Sequence, residues 1–170
     1  MKFETDLEVS GTPSQVIEKL ADVPLMASFI PGASVGPANP DGSYPGTLVV
    51  SFGPKRIAFT GTITNQVNRA SHAGVLLGLA SADMRAAKMA IRMNYSLSEG
   101  KNPTQASTRV TFVSEAQLTG VLAEFAKTGG AVITNAILAE FARRFSAQCG
   151  EPAEKSVSGA IPSKAFSVVT

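Results

Sequence analysis

The sequence predicts an α+β domain in which a curved antiparallel sheet of about seven strands wraps one long C-terminal helix. Three observations predict it. The chain opens with a period-two stretch that leads into two short helical segments. A succession of strand-like segments follows, joined by short turns without a helix between them. The last long segment then changes to helical periodicity.

Phe3, Thr5, Leu7 and Val9 share one side of the opening segment, and Glu4, Asp6, Glu8 and Ser10 take the other, the mark of a half-exposed strand. Gly11 breaks it. Thr12 suits a helix cap and Pro13 the first helical position, after which Val16, Ile17 and Leu20 form one helical face. Pro24 admits a second short helix carrying Leu25, Met26, Phe29 and Ile30, and Pro31-Gly32 stops it. Strand-like segments then cover 33–38, 47–52, 56–67, 72–81, 86–97 and 105–118, separated by turn-rich breaks such as "NPDGSYPG" and "EGKNP". Short turns of this kind join antiparallel neighbours.

From about Leu118 to Gln148, Leu122, Phe125, Val132, Ile133, Ala136, Ile137, Phe141 and Phe145 recur at helical spacing. One helix of that extent would be about 40 Å long, enough to cross a sheet. Gly129-Gly130 falls inside it, which implies either a bend or a close approach at that point. After Cys149 the chain is rich in Ser, Pro, Gly and Ala without periodicity, ending in "KAFSVVT". The expected organisation is a domain over 1–148 with an apolar tunnel and a flexible tail over 149–170.

The 170 residues are 44% hydrophobic and 16% charged, with a formal net charge of +2. That composition is globular and low in charge. The adjacent basic pairs Lys55-Arg56 and Arg143-Arg144 are thin for a nucleic-acid footprint. A single cysteine, Cys149, excludes an intramolecular disulfide framework. The opening "MKFETDLEVS" lacks the apolar core of a signal peptide, and no run of apolar residues reaches membrane-spanning length. A cytoplasmic location is expected, with any membrane contact peripheral.

Catalytic side chains are sparse. His72 is the one histidine, so paired-histidine metal sites are excluded, and the sequence supplies it no orienting partner. Cys149 sits at a helix C-terminus, where the dipole opposes a thiolate. The acidic residues Glu4, Asp6, Glu8, Asp83 and Glu115 are scattered, and the glycine-containing stretches match neither a P-loop nor a dinucleotide fingerprint. No metal or covalently bound cofactor is expected. Apolar capacity is what the chain has: Ala87, Met89, Ile91, Met93, Tyr95 and Leu97 share one strand face. On the preceding strand Ala73, Val75, Leu77 and Leu79 share one face, and Gly74, Leu76, Gly78 and Ala80 fill the other. Small residues and pliable methionines suit a cavity for an apolar ligand as well as a packed core.

The opening strand ending "VSG", then "TPSQVIEKLADVPLMASFIPG", "FGPKRIAFTGTI" and the helix after "GVLAEFAKTGG" together resemble the carbon monoxide dehydrogenase G-subunit family, within the START-like helix-grip superfamily. The resemblance covers about Met1 to Gln148. It implies a helix-grip fold with an apolar tunnel between sheet and long helix. It also implies a non-catalytic accessory role beside a molybdenum-containing CO dehydrogenase or related hydroxylase, at the cytoplasmic membrane with its quinone pool. The expected ligand is lipophilic, a quinone first, with its isoprenoid tail in the tunnel. The tail residues Phe166, Val168 and Val169 would bury too little for more than marginal membrane binding.

The residues expected to line the tunnel are Leu25, Met26, Phe29, Phe52, Phe59, Leu77, Leu79, Met89, Ile91, Met93, Phe112, Phe125, Ile133 and Ile137. A register error of one residue would exchange inside for outside. Two other readings stay open. One is a ligand-free adaptor that recruits the dehydrogenase to the membrane. The other is a helix-grip enzyme using Tyr95, Arg92, Arg109 and Asp83. For the second short helix, Leu25, Met26, Phe29 and Ile30 either plug the core or gate the tunnel.

Overall fold

The computed structural model describes residues 1–52, 54–82, 87–120, 122–150 and 166–169. Strand β1 (Lys2–Ser10) leads into helices α1 (Pro13–Ala21) and α2 (Val23–Ser28). Strands β2 (Ala33–Val35), β3 (Tyr44–Phe52), β4 (Lys55–Asn68), β5 (Ala73–Ala82), β6 (Ala87–Glu99) and β7 (Ser107–Thr119) follow. Then come helices α3 (Leu122–Lys127) and α4 (Gly130–Cys149) and a last strand β8 (Phe166–Val169).

The local signals act as their chemistry dictates. The Thr12 side chain accepts from the Gln15 amide while the Gln15 side chain accepts from the Thr12 amide, a complete capping box at the start of α1. Asp22 ends α1, and its carboxylate accepts from Leu25 N–H at 3.0 Å to cap α2. The two helices therefore share one hinge residue.

The sheet order is β2-β3-β4-β5-β6-β7-β1-β8, antiparallel at every junction. The curled antiparallel sheet with its short helices and C-terminal helix is the architecture that the sequence predicts. Cross-strand register sorts the two faces. Leu7, Val110, Leu97 and Gly74 lie on the concave side that faces the helices, whereas Asp6, Thr111, Ser96 and Ala73 lie on the convex side.

Two expectations are corrected. The expected helix over Leu118–Gln148 is in fact the end of β7, then α3, then α4. Gly129 separates the helices with φ +118, a conformation that other residues rarely adopt, and a β-carbon there would meet nothing within 4 Å. The glycine thus serves a break in the helix and not a close approach. α4 has 20 residues, so it is about 30 Å long. The second correction concerns the tail. Cys149 still belongs to α4, and Phe166–Val169 pair with Lys2–Thr5 on the free edge of β1. Most of the remainder of 149–170 lies outside the described residues.

The core has two parts. The larger joins Leu7, Val9, Tyr95, Leu97, Val110 and Phe112 of the sheet to Val16, Ile17 and Leu20 of α1, Met26 and Phe29 at α2, and Phe141, Ala142 and Phe145 of α4. The smaller, at the opposite end of the strands, gathers Phe59, Ala87 and Leu122. Between them the concave face is only partly covered.

Candidate functional site: an apolar cavity under the second helix

A cavity of about 170 Å³ lies between α2 and the concave faces of β2 to β6. Its roof is Val23, Met26, Ala27 and Ile30. Its walls include Leu48, Phe59, Ile63, Leu76, Ile91 and Met93. Gly46, Gly61, Gly78 and Ala80 form a floor of short side chains. Ser34, Thr47 and Thr62 also border it, but strand alternation puts their hydroxyls on the convex face, since their pleat neighbours Ala33, Leu48 and Ile63 are concave. The interior is therefore hydrocarbon with methionine sulfur.

The floor glycines differ in cause. A β-carbon on Gly61 would stand inside the Leu79 carbonyl oxygen and crowd the Ala80 backbone, so glycine is required where β4 and β5 curl together. On Gly46 it would press on Ile63 Cδ1 at 3.2 Å. On Gly78 it would meet nothing within 4 Å. Gly78 faces open volume.

The expected lining residues divide. Met26, Phe59, Met89, Ile91 and Met93 border the cavity. Phe29 and Phe112 are instead buried in the larger core, Phe29 with its ring centroid 6.3 Å from those of Phe141 and Phe145. Leu25 packs against that same core. Leu77 and Leu79 are corrected: both are on the convex pleat, because Gly78 pairs with Ile91 on the concave side. Leu79 borders the cavity, yet its side chain is on the outside and the residue is 64% exposed. Ile133 and Ile137 are partly exposed on the N-terminal half of α4 and do not border the cavity. The side chains of Phe52 and Phe125 lie outside the described residues.

Sequence reasoning missed Leu76, Gly78 and Ala80, the other face of β5, and Leu48 and Ile63 on the neighbouring strands. Tyr95 of the Ala87–Leu97 face crosses over Gly74, where a β-carbon would collide with its ring. Its hydroxyl donates to Asn65 Oδ1 at 2.8 Å, and Asn65 Nδ2 donates to the Leu20 carbonyl at 2.9 Å. Burial pushes the Tyr95 phenol above its ordinary value, against the lowering pull of the Asn65 bond and of Arg69. Of the other polar candidates, Arg109 pairs with Asp6 at 2.8 Å on the convex face, and Arg92 shares that face through its register with Glu115. Asp83 lies outside the described residues.

His72 occupies the β4–β5 turn with φ 52; its carbonyl accepts from Leu97 N–H, and its Nε2 is 3.2 Å from Ser14 Oγ. Burial pushes the Cys149 thiol up to about 11. Among the described residues no group of three or more His, Cys, Asp or Glu is placed to hold a metal ion, and no helix is long and apolar enough to cross a membrane. A larger hollow of about 530 Å³ lies chiefly on the convex side, with Gln66, Asn68, Asn94 and Ser96 at its walls. It is open, Val67, Val75 and Val113 make its lining more apolar than polar, and no residue of α2 or of the expected lining borders it.

Comparison with solved structures decides the fold. A conserved protein from Geobacillus kaustophilus superposes with a TM-score of 0.72 at 15% identity, covering 92% of this chain and 97% of that one. A START superfamily protein from Mycobacterium smegmatis gives 0.55 at 13% identity, covering 88% and 97%. The fold is START-like. The di-domain ARO/CYC StfQ from the steffimycin biosynthetic pathway also matches this START-like chain, with a TM-score of 0.52 at 15% identity over 86% of this chain and 44% of that one. No protein-family model matches the START-like chain, and no curated protein matches it in sequence.

Proposed function

We propose that this START-like protein binds the hydrocarbon part of a lipophilic molecule, a quinone first, and serves as a non-catalytic accessory of a molybdenum-containing CO dehydrogenase. In this reading it links the enzyme to the inner face of the cytoplasmic membrane and its quinone pool. The observation that carries the binding part is the cavity under α2, with hydrocarbon walls and a floor of glycine and alanine. The partner and the membrane follow from the sequence resemblance alone. Each buried methylene contributes about 0.8 kcal/mol, so a few isoprenoid carbons under α2 give useful affinity while the rest of the chain leaves through the mouth.

The test is extraction of the purified protein with organic solvent, lipid mass spectrometry, and titration with added quinone. A co-purifying lipophile or saturable quinone binding supports the reading. Reproducible absence of both removes it and leaves the adaptor, which predicts recovery of the dehydrogenase in pull-downs with an empty or filled cavity alike.

A second reading, a cyclase-like enzyme, is favoured by the likeness to the ARO/CYC protein StfQ and by the buried Tyr95 hydroxyl on the concave face. The Asn65 bond already engages that hydroxyl, and the two arginines expected to assist it face away. Turnover of an apolar substrate that disappears in Tyr95→Phe while the fold persists would favour the enzyme.

A further inference from the structure

We infer that the cavity admits hydrocarbon only, at about the scale of a single ring or a short alkyl segment, and that Gly78 is the residue that sets this limit. The inference rests on the reading of the cavity as a ligand site and specifies what that site accepts.

Glycine in a strand interior is a liability, since it loses more conformational freedom on folding than any other residue and packs nothing. Such a position has a structural reason when φ is positive or when another backbone comes close. Gly61 meets the second condition at the Leu79 carbonyl, and Gly74 makes way for the Tyr95 ring. Gly78 meets neither: its φ is not in the left-handed region, and the space where its β-carbon would stand is empty to 4 Å. The one thing its missing side chain creates is volume, in the middle of the cavity floor between Ile63 on β4 and Ile91 on β6.

The size and chemistry of that volume set the ligand class. About 170 Å³ is close to the roughly 150 Å³ of an apolar protein cavity that stays dry and binds benzene, and below the several hundred typical of drug-sized ligands. Among the described residues, the side chains on the concave pleat around it offer no hydroxyl, amide or charge, and the strand amides are engaged across the sheet. A hydroxyl or carbonyl carried inside would lose its water and gain no partner. Met26, Met89 and Met93 around the space can adjust to the outline of a ring or chain without supplying a strong hydrogen bond. A polar head therefore stays at the mouth.

The experiment compares the full chain with Gly78→Ala and Gly78→Leu, using benzene, phenol and a quinone with an alkyl chain as probes, by calorimetric titration and thermal melting. Benzene is expected to bind the unaltered protein and raise its Tm, and phenol to bind about tenfold more weakly or worse. Gly78→Leu is expected to lose benzene and to melt higher than the unaltered protein; Gly78→Ala falls between. If Gly78→Leu fails to fold, Gly78→Ala decides, because a methyl in open space cannot disturb the sheet. Equal binding of phenol and benzene overturns the inference, and so does benzene binding that is unchanged in a folded Gly78 variant. Quinone binding that persists in Gly78→Leu also overturns it while leaving the accessory role intact. Benzene binding controlled by Gly78, with no quinone or extracted lipid ever found, does the reverse.

Discussion

Gly61 and Gly78 stand on adjacent strands of the sheet and illustrate how little a residue's type says without its neighbours. The first is glycine because backbone leaves no room, the second although nothing stands in the way. Gly61→Ala is expected to cost about 3 kcal/mol or more, as overpacking against rigid backbone does, whereas Gly78→Ala is expected to be neutral or to stabilise by about 0.5–1 kcal/mol. Urea unfolding of the two variants measures the contrast. Cys149 offers a second test at this scale. Its thiol is pushed by burial from 9.0 to about 11, so the folded protein holds the proton longer than the unfolded chain does. The corresponding stability is fully present below pH 9 and is lost as pH rises through 11. Alkylation by iodoacetamide at pH 9 is expected to be about fifty times slower in the folded protein than in urea, the ratio of thiolate fractions.

At the scale of the element, α2 joins two functions that its sequence does not separate. Phe29, at its C-cap, packs its ring at a steep angle against Phe141 and Phe145 of α4, while Met26, Ala27 and Ile30 roof the cavity. Phe29 is therefore a plug. Phe29→Ala is expected to lower stability by about 3–5 kcal/mol in denaturant titrations, with loss of the Phe141 and Phe145 contacts. Met26→Ala is expected to cost less than Phe29→Ala, because the space beside it is already open, and to change ligand exchange rates in stopped-flow experiments. The elements themselves were legible in the sequence where punctuation was strong: the Thr12–Pro13 cap, Pro31-Gly32, and the breaks between strands. β5 was legible as a strand but not in its facing, because Leu77 and Leu79 on one pleat are as apolar as Leu76 and Ala80 on the other. Period two cannot choose between two apolar faces, and only the pairing of Gly78 with Ile91 does. The α3–α4 break was legible only as a choice between a bend and a close approach at Gly129-Gly130. Leu122, Ile133 and Phe141 keep a helical rhythm across Gly129, while the φ of +118 that interrupts it has no signature beyond the glycine itself.

The whole molecule is a sheet with one well-packed end, one smaller cluster at the other, and a cavity between them. The position of that cavity could not be read from composition, because it depends on which long side chains were drawn into the aromatic cluster and which were left beside empty space. The edge of the sheet is a property of the same scale. β8 covers Lys2–Thr5 of β1 through main-chain pairing. A chain ending at Gly150 is expected to fold, since among the residues whose burial is described those of the core all precede that point. It is also expected to exchange the newly uncovered edge amides of β1 faster with deuterium and to self-associate more readily, as exposed edges do. Hydrogen exchange and light scattering on the shortened chain check this.

The reach of Tyr95 over Gly74 to Asn65, and of Asn65 on to Leu20, also makes the molecule its own optical reporter. The chain has no tryptophan and only 2 tyrosines, and of these Tyr95 is buried and hydrogen-bonded between β6 and β4 while Tyr44 begins β3. Any flattening of the sheet that draws β6 from β4 breaks the phenol's bond, and phenol emission is sensitive to that bond. Ultraviolet fluorescence of the unlabelled protein, with Tyr44→Phe removing the second emitter, then reads the curvature of the sheet directly as a ligand enters or leaves.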